Sequence, residues 1–418
     1  MLKIVLGALA LTAATTPTLA NSWSTTDRDL ANLSSSLTQN ASGVSVSGFL
    51  RSSYVSWTDV DPDNNATTAN SGDIGAFSID DAQIWVTGSV GDFSVTIQAD
   101  AASTSEGLFM DRTKLTGVGA FTTDGAKDVT AGTNELIAYG GNNTPFSVGS
   151  LGSLGLLDAY VAWNATEMIK VQMGQFRPAF LASSALNENN MLFINRSRLG
   201  AAGAYRSQGL QASASFGMFN IAVFAQNGEE VAVGSPAVTG VAENDLSYGA
   251  RASAQIMGTS SSTEGALGAS NDPSLVVGIG FIDDAAQISW LGRTVGGTNT
   301  YSNNVGECLA FDTTFTMGAL SLSAELVDIT GSGDAATDSP DATPFSAAGS
   351  FMVIPDQLEL AIRYEDFDDR DETSWMTYGV NWYLQGHAAK WQINYIDGAS
   401  DEKFLDSDMV QLGLTVSM

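Results

Sequence analysis

Apolar and polar residues alternate along most of the chain after Gly43, and this alternation limits the fold more than any other feature of the sequence. It is clearest in residues 320–326, 358–365, 390–395 and 410–418. A period of two gives a β-strand one apolar and one polar face. Two architectures use such strands: a soluble sandwich buries the apolar faces against each other, whereas a membrane barrel turns them to lipid.

The lengths of the links between the strands favour the barrel. The alternation predicts sixteen strands, approximately at residues 44–57, 77–90, 93–103, 156–165, 168–176, 203–216, 218–227, 246–257, 275–282, 307–317, 319–329, 344–353, 357–367, 374–385, 389–397 and 409–418. Links from even-numbered to odd-numbered strands are mostly tight and most of the others are longer, with residues 258–274 as an exception. Outer-membrane barrels combine short periplasmic turns with long outer loops, and a sandwich does not sort its loops in this way. The sequence therefore predicts an all-β fold, a 16-stranded antiparallel transmembrane β-barrel.

The composition argues against several classes of function. With 17 Lys and Arg against 46 Asp and Glu, the chain has a net charge of -29 and lacks the basic clusters that bind nucleic acid. Its single Cys excludes an internal disulfide, and its single His leaves His-dependent triads and multi-His zinc sites without their residues. We therefore predict that the protein is not an enzyme, and that it has no catalytic residue, cofactor, metal site or nucleic-acid partner.

The first 42 residues differ in pattern from the rest of the chain. A basic start at Lys3, an apolar stretch over residues 4–14 and small residues up to Ala20 predict a secretory signal peptide at residues 1–20. Residues 21–42 precede the first strand, and we interpret them as a short periplasmic segment. The barrel then comprises residues 43–418.

Aromatic residues near several predicted strand ends suit the girdles that a membrane barrel carries at its two interfaces. These residues are Trp57, Trp163, Tyr205, Trp375, Trp382 and Tyr383. Each of them taken alone is more often an ordinary packing residue.

Several short segments occur in an order typical of one family of bacterial porins. They are residues 157–161, 171–178, 195–197, 224–228, 311–312, 324–325, 351–364 and 378–387. The second segment reads Val-Gln-Met-Gly-Gln-Phe-Arg-Pro, with Gly-Gln-Phe followed by a basic residue and Pro. Together the segments resemble the phosphate-selective porin O and P family over roughly residues 79–418, interrupted near residues 107–153.

The resemblance implies a sixteen-stranded porin of the bacterial outer membrane, assembled as a homotrimer by the barrel-assembly machinery, with outer-membrane lipid around it. It also implies that the loop after the fifth strand folds inward and narrows the pore. The chain departs from the family in two respects. It ends in Met418 where family members end in an aromatic residue, and it is poor in the Arg and Lys that line the phosphate-selective pores.

Charges on the polar face of the strands are balanced. That face carries five cations and five anions: Arg51, Lys170, Arg251, Arg363 and Lys390 against Asp100, Asp312, Glu325, Glu359 and Glu365. Rings of one charge sign select ions, so a balanced wall predicts no strong anion preference. Polar residues that simply solvate a water-filled channel are the plainer interpretation.

The predicted constriction loop, residues 177–202, has a local basic excess. Arg177, Arg196 and Arg198 stand there against the single acid Glu188. If they face acids across the narrowing, they create a transverse field that orders polar solutes. We therefore predict that these four residues form the pore constriction.

Most of the negative charge falls in predicted outer loops, which raises the local cation concentration at the pore mouth. We therefore predict a passive channel for small hydrophilic solutes and ions, with weak cation preference or none. Three alternatives remain open at this stage. They are an anion- or phosphate-selective porin, a surface structural or adhesive barrel without an open pore, and an enzyme within a membrane barrel.

Overall fold

The computed structural model describes residues 43–60, 72–102, 155–227, 246–259, 263–283, 305–331, 342–368, 372–400 and 408–418. The predicted signal peptide and the predicted periplasmic segment lie outside these residues, and so does the interruption at 107–153. The division into residues 1–20, 21–42 and 43–418 therefore stays a prediction.

Sixteen antiparallel strands of the described residues form a closed barrel, in which each strand pairs with its neighbours in sequence. The strands are β1 (Ser45–Val60), β2 (Gly72–Val90), β3 (Phe93–Asp100), β4 (Gly155–Asn164), β5 (Ile169–Phe176), β6 (Ser207–Phe216), β7 (Phe219–Asn227), β8 (Leu246–Met257), β9 (Ser274–Asp283), β10 (Val305–Met317), β11 (Leu320–Gly331), β12 (Phe345–Ile354), β13 (Leu358–Asp366), β14 (Ser374–Tyr383), β15 (Ala389–Ala399) and β16 (Met409–Ser417). Pairing of β1 with β16, from Phe49 opposite Ser417 to Trp57 opposite Met409, closes the barrel. The predicted fold class is confirmed.

The alternation in the sequence becomes an alternation of side-chain direction. On β15, Trp391 and Ile393 point out of the barrel and are 41% and 46% exposed, while Lys390 and Gln392 point inward and are buried. A closed sheet has no free strand edge, so the outward apolar side chains form a continuous band that suits hydrocarbon.

The links at the two ends of the barrel differ as predicted. Even-to-odd links are short, such as Gly217 with Met218 between β6 and β7. Gly217 has φ +58, in the left-handed region that tight turns use and glycine adopts without strain. The exception is again the link between β8 and β9, residues 258–273, which is long although it lies at the short-turn end.

The described helices all lie between β5 and β6. They are α1 (Ala182–Ala185), a 3-10 helix (Glu188–Asn190) and α2 (Arg198–Gly203). In the part of the chain that the structure describes, no helix combines the length and apolar character needed to cross a membrane.

The sixth strand was predicted to begin at residue 203, but β6 begins at Ser207. Residues 198–203 form α2 instead, and the Ser197 hydroxyl caps this helix by accepting a hydrogen bond from Gly200 N at 3.0 Å. A Ser before a helix satisfies one of the amides that have no partner inside the first turn.

The aromatic residues near strand ends divide between the girdle position and ordinary packing. Trp163 and Trp382 point outward, with 44% and 59% exposure, but Trp375 and Tyr383 are buried inside the barrel. Tyr205 is half-buried and its hydroxyl accepts a hydrogen bond from the Gln226 amide. Whether a side chain points inward or outward depends on its position in the alternation along the strand. Closeness to a strand end does not determine that position. The Trp57 side chain lies outside the description.

Candidate functional site

The segment between β5 and β6, residues 177–206, is here called the lumen loop, and it folds into the barrel. Lys390 Nζ on β15 donates a hydrogen bond to Met191 O at 2.5 Å. Arg363 Nη1 on β13 donates to Asn195 O at 3.0 Å. Because β13 and β15 lie across the barrel from β5 and β6, the loop spans the lumen. The inward fold implied by the family resemblance is therefore confirmed.

Three of the four residues predicted for the constriction form a charged cluster within the loop. Arg196 Nη2 lies 2.9 Å from Glu188 Oε1, and Arg177 is bonded to the same oxygen. Burial opposes ionisation of Glu188, but the charges of Arg177, Arg196 and Arg206 outweigh it and hold the pKa of Glu188 well below its ordinary value. Arg177 Nη1 also donates to Leu186 O at 2.7 Å. These contacts brace the loop against itself, and a transverse field from the arginines stays a prediction.

The fourth residue, Arg198, connects the loop to the wall. Its backbone N–H donates to Glu365 Oε1 at 2.5 Å, and its guanidinium lies 4.9 Å from the centre of the Phe367 ring. Glu365 Oε2 accepts from Arg363 Nε at 2.8 Å. One buried carboxylate thus joins α2 of the loop to an arginine of β13.

Apolar packing holds the outer part of the lumen loop. Phe180, Leu181 and Leu199 of the loop are almost fully buried. They pack against inward-facing apolar residues of β9, β10 and β11, namely Ile282, Cys308, Ala310, Val327 and Ile329. The single cysteine of the chain is therefore a buried packing residue. Near the outer end the inner face of the wall is apolar because the loop covers it.

Two glycines on β9 allow this close approach. A Cβ atom at Gly280 would meet the Phe180 carbonyl, and one at Gly278 would meet Arg251 and Asp312. Arg251 on β8 reaches over Gly278 to Asp312 on β10, with Nη1 2.5 Å and Nη2 2.8 Å from the two carboxylate oxygens. Arg251 Nη1 also donates to Phe180 O at 2.7 Å. The only sign of these contacts in the sequence is the glycine at inward positions of the strand.

The strands β13 to β16 and β1 are here called the clamped wall, because their long polar side chains hold the loop backbone. Besides Lys390 and Arg363, Gln392 Nε2 donates to Leu192 O at 3.1 Å. Phe193 of the loop packs on Gly379, and the Arg363 guanidinium lies 4.6 Å from the centre of the Phe193 ring. These hydrogen bonds satisfy buried carbonyl groups of the loop. A buried carbonyl without a donor would cost free energy of folding.

Arg51, on β1 of the clamped wall, has a partner that the sequence did not identify. Arg51 Nη2 lies 2.5 Å from Asp81 Oδ2, and both side chains are buried. The register between β1 and β2 shifts between Arg51 and Ser52, which brings Asp81 opposite Arg51. Because Asp80 and Asp81 are adjacent, only the bulge decides which of the two faces the lumen.

The other predicted lumen residues lie at separate places along the wall. Asp100 accepts hydrogen bonds from Ala82 N at 3.0 Å and Ala102 N at 2.7 Å. Lys170 is at the short-turn end of the barrel, with Nζ 5.7 Å from the centre of the Tyr160 ring. The structure therefore does not bring Asp100 and Lys170 together with the constriction.

Glu325 and Glu359 bind the two segments that enter the lumen. Glu325 accepts from the backbone N of Ser183 in the lumen loop at 2.8 Å and from its hydroxyl at 2.5 Å. Glu359 accepts from Ala266 N at 2.6 Å. Ala266 belongs to residues 263–273, here called the inward turn, which the sequence marked only by its length.

A cavity of about 210 Å³ lies between the lumen loop, the inward turn and the strands β9 to β12. Those strands are here called the open wall, and their inward hydroxyl side chains line the cavity: Ser274, Thr314, Thr316, Ser321, Ser323, Ser346 and Ser350. Its charged lining residues are Glu264, Glu325 and Arg363. Short hydroxyl side chains leave space beside the loop and offer hydrogen bonds to water or polar solutes.

The comparisons with known proteins agree with this architecture. The family model described as phosphate-selective porin O and P matches residues 55–417. The crystal structure of the outer membrane channel DcaP of Acinetobacter baumannii has a TM-score of 0.51 and 13% identity, covering 90% of this chain and 97% of that chain. This likeness shows the fold.

Two further solved structures resemble the chain. OmpT of Vibrio cholerae with loop L8 deleted has a TM-score of 0.49 and 12% identity, covering 90% of this chain and 99% of that one. OmpF of Salmonella typhi in complex with daunomycin also has a TM-score of 0.49 and 12% identity, covering 90% and 97%. A comparison with curated proteins found no match.

Proposed function

Since the chain belongs to the phosphate-selective porin O and P family and is a channel-forming barrel of the bacterial outer membrane, we propose that it passes small hydrophilic solutes and ions by diffusion, with weak cation preference or none. The solutes cross beside the lumen loop, through the hydroxyl-lined cavity at the open wall. The proposed transport needs no catalytic residue, cofactor or resident metal.

The observation that carries this proposal is the pairing of the lumen arginines. Arg51, Arg251 and Arg363 each bind a carboxylate at 2.5 to 2.8 Å. An arginine that is already paired contributes little net attraction for a passing anion. The acids of the cavity, together with the acidic outer loops, then favour cations slightly.

The reversal potential of the purified protein in a planar bilayer under a salt gradient tests the proposed preference. We expect a potential near zero or of the sign that indicates cation flow. Strong anion selectivity would contradict the proposal and favour the alternative, a phosphate- or anion-selective porin of the kind the family name describes.

A second candidate function follows from the lumen loop itself. Its apolar packing and its bonds to the clamped wall place the loop across the inside of the barrel, which favours a structural or adhesive barrel without an open pore. Single-channel recording distinguishes the two functions, since a plugged barrel gives no discrete conductance steps. Reconstituted protein that inserts into the bilayer without such steps would favour this candidate.

We also propose that the protein is a homotrimer surrounded by outer-membrane lipid and assembled by the barrel-assembly machinery. The family resemblance supports the trimer, and the outward apolar band supports the lipid contact. Native mass spectrometry of the detergent-extracted protein measures the oligomeric state, and a monomer would contradict this part.

A further inference from the structure

The inward turn occupies the lumen although it belongs to the end of the barrel where links are short. Turns at that end of an outer-membrane barrel are normally short and leave the lumen open. Here Ala266 is 3% exposed and packs against Met352 and Tyr383 on the inner wall. A turn that lies outside the barrel would not bury an alanine in this way.

One wall carboxylate, that of Glu359 on β13, fixes the inner end of the turn and is itself held by Ser350 and Tyr383. Glu359 Oε1 accepts from Ala266 N at 2.6 Å and from the Ser350 hydroxyl at 2.6 Å. Glu359 Oε2 accepts from the Tyr383 hydroxyl at 2.6 Å. Gly265 has φ +87, and a Cβ atom there would meet Glu359 and Leu192. The turn is therefore built to reach the lumen loop.

The turn and the lumen loop meet through Glu264. Its backbone N–H donates to Asn190 O at 3.1 Å, and its carboxylate Oε2 accepts from Leu192 N at 2.8 Å. The loop enters from the outer end of the barrel and the turn enters from the periplasmic end. Segments from both ends of the barrel thus meet inside the lumen.

The charge that this contact places at the cavity is negative. Of the charged residues lining the cavity, Arg363 is paired with Glu365 at 2.8 Å, whereas Glu264 accepts a hydrogen bond from the neutral backbone amide of Leu192. A carboxylate whose partners are neutral keeps its effect on a passing ion.

Resting on the function proposed above, we propose that the inward turn is the second wall of the constriction and that Glu264 is a specificity-determining residue, which favours cationic over anionic solutes. Glu264 acts through its charge at the cavity, and Glu359 is a positioning residue that holds the turn. The four loop residues predicted from the sequence do not include either of these.

The variant Glu264→Gln tests the charge, since the Gln amide oxygen still accepts from Leu192 N. The cation-to-anion permeability ratio from reversal potentials is expected to fall about fivefold, as for removal of one charge about 4 Å from an ion in water. The matched control is Asp272→Asn, which removes the same charge from an exposed position of the same turn. The control is expected to keep the wild-type ratio.

Three results overturn the inference in distinguishable ways. A ratio that is unchanged in Glu264→Gln, in channels that conduct like the wild type, overturns the role of Glu264 and leaves the proposed function intact. An equal fall of the permeability ratio in Asp272→Asn would show that any charge on the turn affects selectivity, and it would overturn the specific role of Glu264. A wild-type protein that never conducts overturns the proposed function and this inference with it.

A second pair of variants tests the location without relying on ion selectivity. Glu264→Cys and Asp272→Cys are treated with a positively charged methanethiosulfonate reagent during single-channel recording, while the buried Cys308 stays unmodified. Modification at position 264 is expected to reduce the current and modification at position 272 to leave it unchanged. A current that is insensitive to modification at 264 would show that the turn does not line the path.

Discussion

The clamped wall and the open wall are neighbouring parts of the same barrel, joined where β12 pairs with β13, but they hold the lumen loop differently. On the clamped wall, Lys390, Gln392 and Arg363 reach into the lumen and bind three carbonyl groups of the loop. The open wall touches the loop through apolar residues at its outer end and through Glu325, and between these contacts its serines and threonines leave a cavity of about 210 Å³.

The difference shows that side-chain length, within one regular strand pattern, decides where a porin lumen is closed and where it stays open. Both walls alternate apolar outward and polar inward side chains, as a water-filled barrel requires. A long side chain with an amide or a positive charge spans the gap to the loop, whereas a hydroxyl does not.

The largest effect is expected from Arg363→Ala on the clamped wall. The substitution leaves Glu365 buried without its arginine and removes the bond to Asn195 O, so the free energy of unfolding is expected to fall by about 3 to 5 kcal/mol. Guanidinium unfolding of the detergent-solubilised protein, followed by tryptophan fluorescence, measures it.

The control for this change removes the pair as a whole. The double variant Arg363→Met with Glu365→Gln leaves no unpaired charge and still offers an acceptor to Arg198 N. It is expected to recover most of the lost stability. If the double variant is as unstable as Arg363→Ala, the cost comes from lost packing on Phe193 and not from the unpaired carboxylate.

Filling the open wall is expected to change conductance more than stability. Ser323→Trp places a large side chain in the cavity, so the single-channel conductance is expected to fall severalfold. The neighbouring Leu322→Trp points outward, where Leu322 is 47% exposed, and is expected to leave the conductance unchanged. Equal conductance in both variants would show that solutes do not pass along the open wall.

A smaller effect on stability is expected from Gly278→Ala, on the open wall. The added methyl group meets the Arg251 and Asp312 side chains, so the free energy of unfolding is expected to fall by about 1 to 3 kcal/mol. Gly88→Ala is the matched control, because a Cβ there lies 3.5 Å from Val44, an ordinary contact. Equal losses of stability in the two variants would mean that substitution of any strand glycine is costly. The contact between Arg251 and Asp312 over Gly278 would then not be the cause.

The smallest effect concerns His387, in the turn between β14 and β15 beneath the clamped wall. Burial, and then the charge of Lys390, lower the pKa of His387 from 6.5 to about 3. Between these values the unfolded chain binds a proton that the folded chain excludes, so stability falls as the pH decreases below 6.5.

The variant His387→Phe keeps the ring contact with Tyr383 and removes the titration. Relative to its own stability at neutral pH, it is expected to lose about 1 kcal/mol less than the wild type at about pH 5.5. Unfolding midpoints at the two pH values measure the difference. A parallel loss in both proteins would show that His387 titrates normally in the folded state.

Most of the paired charges in the lumen could be assigned to the inner face from the alternation alone. The pairs Arg251 with Asp312 and Arg363 with Glu365 use residues that the alternation assigns to the inner face. Asp81 was missed because a bulge, which has no clear signal in the sequence, sets the register beside Arg51.

The contacts of the lumen loop and the inward turn were not predictable in the same way. Arg177 and Arg196 were expected to face acids across the narrowing, and the described contacts place them on Glu188 of the same loop and on carbonyl groups of the loop. The position of Glu264 depends on a turn folding inward, and the length of that link indicated only that it is unusual. Such contacts join residues far apart in the chain, and local periodicity holds no information about them.

The sequence by itself determined the sixteen strands, their inner and outer faces and the sorting of short turns from long loops. These properties follow from a period of two and from the cost of placing polar groups in hydrocarbon, which act on each strand locally. Only the tertiary structure decided which lumen charges pair and where the loop is clamped. It also placed Glu264 at the cavity, because these outcomes depend on distances across the barrel that exist only once the sheet has closed.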